Sequence, residues 1–364
     1  MGRLRAAGQA ARLVKDSIVP GRGLFQLTHF VTAACDARCT HCFYAVNRAG
    51  RELTLDEISR VAQSIGCLRF LLISGGEPFL RTDLPGIVEA YFRETSFMNV
   101  SIPTNGLRTR EILEAVRRIC SISRNLSFSL SVSLDGFREL HDGLRGVKGI
   151  FENALRTLGG ARELQAQHRN LYVGVVTTLM KENQGELDRF IDFIFSEIHP
   201  DSHTLNLWRG EGPGERPSGV TPETYLALNQ KLDERYSRSE GRSGLVSALS
   251  LKRGLRNAVN RLRYRYIARV WREGRFMIPC TAGEREVVLA EGGEVFPCEL
   301  MFNRSLGNVR NFGYDMKALL RGERARAFLE WRRGRECFCT HECTTRTLLL
   351  LRPSTLLRAI AGLR

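Results

Sequence analysis

The sequence predicts an α/β protein: a partial barrel of six β/α units, followed by a small C-terminal domain with a β-hairpin. Apolar runs of strand length alternate with amphipathic runs of helix length from Leu24 to about Trp208, which indicates βαβ units and a parallel sheet. Polar or glycine-rich segments follow the first four apolar runs. Six units favour a partial (β/α)6 barrel over a closed eight-fold one. On periodicity alone, an open doubly wound sheet is the alternative.

The elements follow one another in a regular order. Strands are predicted at 24–33, 70–74, 98–102, 127–134, 171–179 and 203–208, and helices at 54–66, 84–94, 109–119, 149–166 and 184–197. Thr54 and Glu57 predict a capping box at the start of the first helix, and Gly66 is expected to end it. Further along, two short apolar runs around Glu291-Gly292-Gly293-Glu294 predict the hairpin.

Composition indicates a soluble globular protein. The 364 residues are 43% hydrophobic and 26% charged, and no run reaches the ~20 apolar residues that span a membrane. The first twenty residues lack the continuous apolar core of a signal peptide. Ten cysteines in an unexported chain indicate metal binding rather than disulfides. We therefore expect a cytoplasmic protein.

The formal net charge of +15 is concentrated in three stretches. They are the N-terminal segment, the run from Lys252 to Arg275 with nine Lys or Arg and one Glu, and the tail beyond Thr344. Solvated helix faces are the simplest explanation of such runs. The expected organisation is a basic amphipathic segment (1–23), the barrel (24–210), a linker with a basic helical segment (211–276), the hairpin domain (277–343) and a basic apolar tail (344–364).

Three cysteines form the most informative motif. Cys35, Cys39 and Cys42 follow the first apolar run directly, and Gly75-Gly76-Glu77-Pro78 follows the second. Three thiolates from one short loop can hold an iron–sulfur cluster and leave one iron without a protein ligand. The alternative is a set of buried, metal-free thiols. Because barrel enzymes assemble their sites at the carboxyl ends of strands, both segments are expected at one rim.

CxxxCxxC after the first strand, with GGEP after the second, resembles the radical S-adenosylmethionine (SAM) superfamily. The resemblance implies that Cys35, Cys39 and Cys42 bind a [4Fe-4S] cluster whose fourth iron is chelated by SAM. It also implies that Gly75, Gly76, Glu77 and Pro78 contact the SAM amino group. His41 stands where the family usually has an aromatic residue near adenine.

Weaker motifs of the same family follow in order. Asn105, in Thr104-Asn105-Gly106, resembles a residue near the SAM ribose. Ser133 and Arg145 resemble residues that bind the SAM carboxylate, and an arginine fork suits a carboxylate. Taken alone, each of these segments is also common at the end of a strand. The resemblance to the family therefore depends on the order of the segments along the chain.

Five cysteines near the C-terminus predict a second metal site: Cys280, Cys298, Cys337, Cys339 and Cys343. The hairpin would return Cys298 toward Cys280. On spacing alone, zinc suits these thiolates as well as iron does. The segment resembles the SPASM domain, or its shortened twitch form, which binds auxiliary clusters. That resemblance implies one auxiliary [4Fe-4S] cluster on Cys280, Cys298, Cys343 and either Cys339 or Cys337.

The resemblance implies an enzyme that depends on a low-potential electron donor such as a flavodoxin or ferredoxin. SAM would be cleaved to methionine and a 5′-deoxyadenosyl radical, which removes a hydrogen atom from an unactivated carbon of the substrate. The auxiliary cluster would either accept an electron or bind substrate. The oligomeric state and the electron donor itself are not specified by these motifs.

The substrate has to be argued from the ends of the chain. Leu4, Ala7, Ala11, Val14 and Ile18 recur at helical spacing among basic residues, and the apolar tail carries Arg352, Arg358 and Arg364. Our hypothesis is an enzyme peripheral to the inner face of an anionic membrane, acting on a lipid or an anionic lipid-linked substrate. The competing interpretation is that both ends pack onto the barrel.

Three other functions stay open at this stage. The first is a maturase that modifies a ribosomally made peptide. The second is nucleic-acid modification, suggested by Tyr264, Tyr266 and Trp271 among arginines, although no RNA-binding module is recognised and nucleic acid is not the expected partner. The third is a non-catalytic scaffold with zinc in place of both clusters.

Overall fold

The computed structural model describes residues 23–44, 50–95, 97, 99–208, 217, 219–240, 248–334 and 337–355. The predicted amphipathic N-terminal segment lies outside the described residues except for Gly23. So do residues 209–216, 218 and 241–247, and residues 356–364 of the predicted tail.

One sheet organises the described part of the chain. Its first six strands are parallel and adjacent in chain order: β1 (Gln26–Phe30), β2 (Phe70–Ser74), β3 (Asn99–Thr104), β4 (Ser127–Ser133), β5 (Leu171–Leu179) and β6 (Ser202–Leu207). Strand β6 forms one edge of the sheet, so the barrel does not close. The predicted partial (β/α)6 barrel is confirmed.

The C-terminal hairpin is part of the same sheet. Strand β7 (Glu286–Leu289) runs parallel to β1, with Glu286 opposite Gln26. It pairs antiparallel with β8 (Glu294–Phe296), which in turn pairs with β9 (Gly307–Asn308). Because β7 occupies the free side of β1, it satisfies backbone groups that would otherwise form a sheet edge. The hairpin therefore holds its cysteines close to the barrel.

Helices cover the barrel strands, as predicted. They are α1 (Leu55–Ile65), α2 (Leu84–Thr95), α3 (Thr109–Ile122), α4 (Arg138–Arg145), α5 (Ile150–Gln167) and α6 (Leu187–Phe193), which continues into a π-helical turn at Ile194–Ile198. The capping box is present: the Glu57 N–H donates to Thr54 Oγ1 at 3.3 Å, and the Thr54 N–H donates to Glu57 Oε2 at 2.9 Å. Helix α4 was not predicted, because its eight residues are fewer than the window over which sequence periodicity identifies a helix.

The later helices are α7 (Pro222–Glu240), α8 (Ala248–Glu273), α9 (Met316–Leu320), α10 (Glu323–Arg333) and α11 (Glu342–Leu350). In the basic helix α8, Tyr264 and Trp271 are buried. Their burial makes them core residues rather than a surface for stacking bases.

Helix α11 joins the two sides of the barrel sheet. The Leu207 N–H at the end of β6 donates to Glu342 Oε1 at 2.9 Å, and Thr347 Oγ1 donates to Gln26 of β1 at 3.2 Å. Leu348, Leu349 and Leu350 are buried. The described part of the apolar tail thus packs onto the barrel. Among the described residues, no helix combines the length and apolar character needed to cross a membrane.

An ion pair links the barrel to the C-terminal domain and predicts a stability effect. Arg310 donates to Glu57 through Nε at 2.8 Å and Nη2 at 3.1 Å, and the Tyr314 hydroxyl donates to the same carboxylate at 2.8 Å. Glu57 is 8% exposed at its side chain. Because Glu57→Gln leaves the Arg310 charge without its partner, we expect the free energy of unfolding to fall by about 3 kcal/mol. Anaerobic denaturant unfolding would measure this.

The matched control is Glu94→Gln, which removes the exposed pair between Arg93 and Glu94. It should change the free energy of unfolding by less than about 1 kcal/mol, because exposed pairs contribute little. Equal effects of the two substitutions would contradict the proposed domain link.

Candidate active site

The loops that follow the six parallel strands meet around one cavity of about 260 Å³. Its lining includes the cysteine loop after β1, Gly75 to Glu77 after β2, Thr104 and Asn105 at the end of β3, and Ser133 at the end of β4. Val176, Leu207 and Trp208 come from the β5 and β6 side. Every side of the barrel rim therefore contributes to one concave site, as is usual for barrel enzymes.

All three cysteines of the first motif line this cavity. Burial raises the pKa of Cys35 to about 11, and burial likewise raises the pKa of Cys39. Such thiols stay protonated at neutral pH unless a cation lies beside them, and the iron of a cluster supplies that charge. Three adjacent thiols facing one cavity therefore fit a cluster with three protein ligands and one open iron.

The two glycines of Gly75-Gly76-Glu77 allow a close approach between backbones. A Cβ atom on Gly76 would lie 2.1 Å from the Ala34 carbonyl oxygen, and one on Gly75 would lie 2.3 Å from the Thr32 carbonyl oxygen. The Gly76 N–H donates to Thr32 O at 2.9 Å, and the Glu77 N–H donates to Ala34 O at 2.8 Å. The segment after β2 is thus bonded directly to the chain that leads into Cys35.

Gly76→Ala should therefore disturb the cysteine loop. Because the added methyl group would overlap backbone rather than a flexible side chain, the loop has to move, and we expect the iron bound at Cys35, Cys39 and Cys42 to be lost. Iron analysis after anaerobic reconstitution would measure the loss. Gly159→Ala in α5 is the control, since a Cβ atom there meets nothing within 4 Å. Normal iron content in Gly76→Ala would contradict this account of the glycines.

Glu77 is the central acidic side chain of the cavity. It is 2% exposed and accepts hydrogen bonds from the Asn105 N–H at 2.7 Å, the Thr104 hydroxyl at 2.9 Å and the Phe79 N–H at 3.2 Å. Burial raises its pKa to about 7, against the opposing effect of these donors. Pro78, the next residue, is buried at the start of the 3-10 turn Pro78–Leu80. Glu77 therefore ties the ends of β2 and β3 together while facing the cavity.

Asn105 lines the cavity, but its side chain also has protein partners. Its Nδ2 donates to Asp36 Oδ1 at 2.8 Å, and its Oδ1 accepts from the Leu107 N–H at 2.9 Å. Asp36, which the sequence analysis did not single out, also pairs with Arg108 at 2.8 Å. Asn105 thus holds the cysteine loop to the end of β3, and its contact with SAM stays a prediction.

Arg145 lies in a buried network that the sequence revealed only in part. Its guanidinium pairs with Asp135 through Nε at 2.7 Å and Nη2 at 2.6 Å, and Nη1 lies 3.6 Å from Cys39 Sγ. His41 Nε2 lies 3.7 Å from Asp135 Oδ2. Burial alone would raise the pKa of Asp135, but Arg145 and the nearby histidines lower it. Asp135 follows β4, two residues after Ser133, and this position after a strand was the available signal.

Four of the C-terminal thiols line a second, small cavity. They are Cys280, Cys298, Cys337 and Cys339. The hairpin brings Cys298 to the same cavity as Cys280, as the sequence predicted. Burial raises the pKa of Cys298 well above its ordinary value, and the neighbouring Cys339 and Cys280 add to the rise. Cys343 does not line this cavity among the described residues, and lies instead beside Glu299 and His341.

The C-terminal domain also forms part of the main cavity. Glu299, Leu300 and His341 are among the residues that line it. His341 Nε2 lies 2.9 Å from Glu299 Oε2. Sequence analysis did not identify Glu299, because a glutamate directly after a cysteine has no distinctive pattern. The cavity is therefore shared between the barrel and the hairpin domain.

Comparison with known proteins agrees with this geometry. Residues 30–194 match the Radical SAM superfamily. An AdoMet-dependent heme synthase from Methanosarcina barkeri is 27% identical over 274 residues, which cover 74% of each chain. An Fe-coproporphyrin III synthase from the same organism is 33% identical over 175 residues, but the match covers only 41% of that protein and 47% of this chain.

Two further comparisons extend into the C-terminal domain. The subtilosin biosynthesis protein AlbA of Bacillus subtilis is 23% identical over 308 residues, which cover 82% of this chain and 59% of AlbA. The structure of Streptococcus suis SuiB bound to its precursor peptide SuiA has a TM-score of 0.59 at 15% identity, covering 90% of this chain and 71% of SuiB. At that identity the likeness concerns the fold. Residues 30–194 of this chain are thus similar to the Radical SAM superfamily.

Proposed function

We propose that this chain is a radical SAM enzyme that acts on a substrate held between the barrel and the hairpin domain. The observation that carries the proposal is a single cavity containing Cys35, Cys39 and Cys42, the Gly75-Gly76-Glu77 segment and the Arg145 side chain. When bound, the cluster supplies an electron that cleaves SAM to methionine and a 5′-deoxyadenosyl radical, which removes a hydrogen atom from the substrate.

The residues of the chain have separate roles in this proposal. Cys35, Cys39 and Cys42 would hold the cluster. Glu77 offers the remaining acceptor capacity of its carboxylate to the SAM amino group, because its three protein donors leave part of that capacity unused. The positively charged guanidinium of Arg145 lies beside Cys39, where it would bind the SAM carboxylate. The buried Asp135 fixes the orientation of this guanidinium.

The second cavity supports an auxiliary cluster on four thiols. Cys280, Cys298, Cys337 and Cys339 supply the four ligands of a fully ligated [4Fe-4S] cluster. We therefore favour both Cys337 and Cys339 as ligands. Full ligation leaves no open iron, which suits electron transfer rather than substrate binding.

Peptide modification is the substrate class that we favour. AlbA, the mycofactocin maturase MftC and SuiB with its precursor peptide support it. The lipid hypothesis loses support from residues 348–350, which are buried.

Reductive cleavage of SAM is the direct test of the proposed function. We expect anaerobically reconstituted protein with dithionite to release 5′-deoxyadenosine, because the cavity combines a three-thiol site with the SAM-binding segment. The product would be measured by liquid chromatography with mass spectrometry. Omitting dithionite is the control for chemical breakdown of SAM. Fully loaded protein that releases no 5′-deoxyadenosine would disprove the proposal.

The same assay separates the substrate classes. A synthetic peptide library, Fe-coproporphyrin III and vesicles with anionic lipid would be added in turn. A class that contains the substrate should increase the release of 5′-deoxyadenosine, because the 5′-deoxyadenosyl radical becomes 5′-deoxyadenosine when it removes a hydrogen atom from the substrate. Stimulation by vesicles alone would restore the lipid hypothesis. Stimulation by the porphyrin alone would replace the peptide proposal with a tetrapyrrole reaction.

A further inference from the structure

We propose that Tyr44 is a positioning residue for the cluster at Cys35, Cys39 and Cys42, and that the hairpin domain fixes Cys42 through it. Tyr44 follows Cys42 by two residues. Its buried hydroxyl donates to the carboxylate of Glu291, which lies in the turn between β7 and β8. One side chain thus connects the cysteine loop with the hairpin domain. The inference rests on the proposed function in one respect, which is that the three thiols bind a cluster.

Cys42 has less support from the surrounding protein than the other two thiols of its loop. Cys35 and Cys39 are half-buried, and Arg145 Nη1 lies 3.6 Å from Cys39 Sγ, whereas Cys42 is exposed. The Cys42 thiol donates to the Tyr44 carbonyl oxygen at 3.3 Å. A thiolate bound to iron has no proton to donate, so this contact is lost when Cys42 becomes a ligand. The Tyr44 side chain then anchors the end of the loop.

The Tyr44 ring is packed from two sides and is 5% exposed. On the barrel side it stacks on Phe30 of β1, with ring centroids 4.5 Å apart and planes 13° apart. On the other side lies Phe302 of the hairpin domain at 5.4 Å, and Phe302 packs edge-on against Phe296 of β8 at 5.0 Å. Aromatic pairs at these distances add to the free energy gained from burial. The ring therefore bridges the two domains.

The hydroxyl group gives this packing a single orientation. Its acceptor, Glu291, is 7% exposed, and the Glu291 carbonyl oxygen accepts from the Leu53 N–H at 2.7 Å. The backbone of the acceptor is therefore bonded to the barrel, one residue before the N-cap of α1. A hydrogen bond to a carboxylate is stronger than one between neutral groups, and loss of the partner leaves a buried polar group unsatisfied. Tyr44 is thus held at its ring and at its tip.

The same arrangement directs the preceding residue into the main cavity. Phe43 is 46% exposed and lines that cavity, whereas Tyr44 is buried. The Phe43 ring also packs against Phe302, with centroids 6.5 Å apart. Because Cys42, Phe43 and Tyr44 are consecutive, a shift of Tyr44 moves a cluster ligand and part of the cavity wall together. Groups that orient a metal ligand commonly change the properties of the metal site when they are removed.

The test uses full-length reconstituted protein carrying Tyr44→Phe, which keeps the ring and removes the hydroxyl. Electron paramagnetic resonance of the dithionite-reduced protein, with and without SAM, would identify the cluster at the three thiols, because only its open iron can bind SAM. Iron release to a chelator would be followed in parallel. We expect an altered SAM-sensitive signal and about tenfold faster release of the iron at that site, since loss of an outer-shell partner costs at least that factor.

Two substitutions on the other side of the contact separate the hydrogen bond from the packing. Glu291→Ala removes the acceptor and should reproduce both changes. Glu291→Gln keeps an acceptor oxygen and should resemble the wild type. Tyr264→Phe is the matched control, because Tyr264 is also buried and donates to a carboxylate, that of Asp233, at 2.7 Å. It should lower the free energy of unfolding as Tyr44→Phe does, but leave the signal and the iron release unchanged.

A wild-type signal and wild-type iron release in both Tyr44→Phe and Glu291→Ala would overturn the inference. Equally fast release in Tyr264→Phe would mean a general loss of stability and overturn it as well. These failures leave the SAM-sensitive signal and SAM cleavage of the wild type intact. Absence of that signal from the wild type, in contrast, would refute the proposed function and this inference with it.

Discussion

Replacing Cys35, Cys39 and Cys42 together with alanine is expected to lower the iron content from about eight to about four per chain and to abolish SAM cleavage. The three thiols line one cavity, and alanine offers no ligand to iron. Iron and sulfide analysis with Mössbauer spectroscopy on anaerobically reconstituted protein would measure the loss. The effect on activity should be complete, because the electron that cleaves SAM has no other source in that cavity.

Cys67→Ala is the matched control for this experiment, since Cys67 is an exposed cysteine that is not among the residues lining either cavity. It should leave iron and cleavage unchanged. Wild-type iron of about four that falls to none in the triple variant would mean that the C-terminal thiols hold no cluster. In that case the auxiliary electron-transfer role would be wrong. Unchanged iron in the triple variant would refute the assignment of the first motif.

Glu77→Gln is expected to weaken SAM binding by ~30-fold, equivalent to about 2 kcal/mol. Glu77 accepts hydrogen bonds on both oxygens: Oε1 accepts from the Thr104 hydroxyl and the Phe79 N–H, and Oε2 accepts from the Asn105 N–H. A glutamine can accept on one side only, so its NH₂ group would face a donor, and the acceptor for the SAM amino group would be disturbed. Equilibrium binding of SAM to reconstituted protein would measure the change.

The same group predicts a pH dependence. Because burial raises the pKa of Glu77 to about 7, its carboxyl group is largely protonated below that pH and ionised above it. An ionised carboxylate accepts hydrogen bonds more strongly, so SAM affinity should rise with pH through about 7 in the wild type. The rise specific to Glu77 should be absent in Glu77→Gln. Parallel pH profiles for the two proteins would contradict the role of Glu77, as would wild-type affinity in the variant.

Much of the site could be predicted from the sequence because its motifs are local. Cys35, Cys39 and Cys42 lie within one short loop, and Gly75 to Glu77 within another, so their chemistry is visible without the fold. The Thr54–Glu57 capping box is equally local, since N-cap and N3 are three residues apart. The alternation of strands and helices also predicted the six β/α units, whereas periodicity alone left an open doubly wound sheet as the alternative to the partial barrel.

Other features depended on contacts between residues far apart in sequence. The capping box of Thr54 and Glu57 is a local feature. The pairing of Glu57 with Arg310, in contrast, joins the barrel to the C-terminal domain. Asp135 follows β4 without a distinctive pattern in the sequence, and its pairing with Arg145 became visible only in the structure. Glu299 carried no signal, yet it lines the same cavity as the cysteine loop. None of these three contacts can be recognised from periodicity or spacing in the sequence, because the residues that meet lie on different elements.

The sequence by itself therefore determined the class of chemistry: three thiols in one loop, a glycine-rich segment at the next strand end, and a sheet that brings both to one rim. Only the tertiary structure decided how the C-terminal cysteines divide. It places Cys280, Cys298, Cys337 and Cys339 around one cavity and Cys343 with Glu299 and His341. The physical reason is that the grouping of these side chains depends on distances set by the β7–β8 hairpin and by the start of α11, and spacing along the chain does not encode those distances.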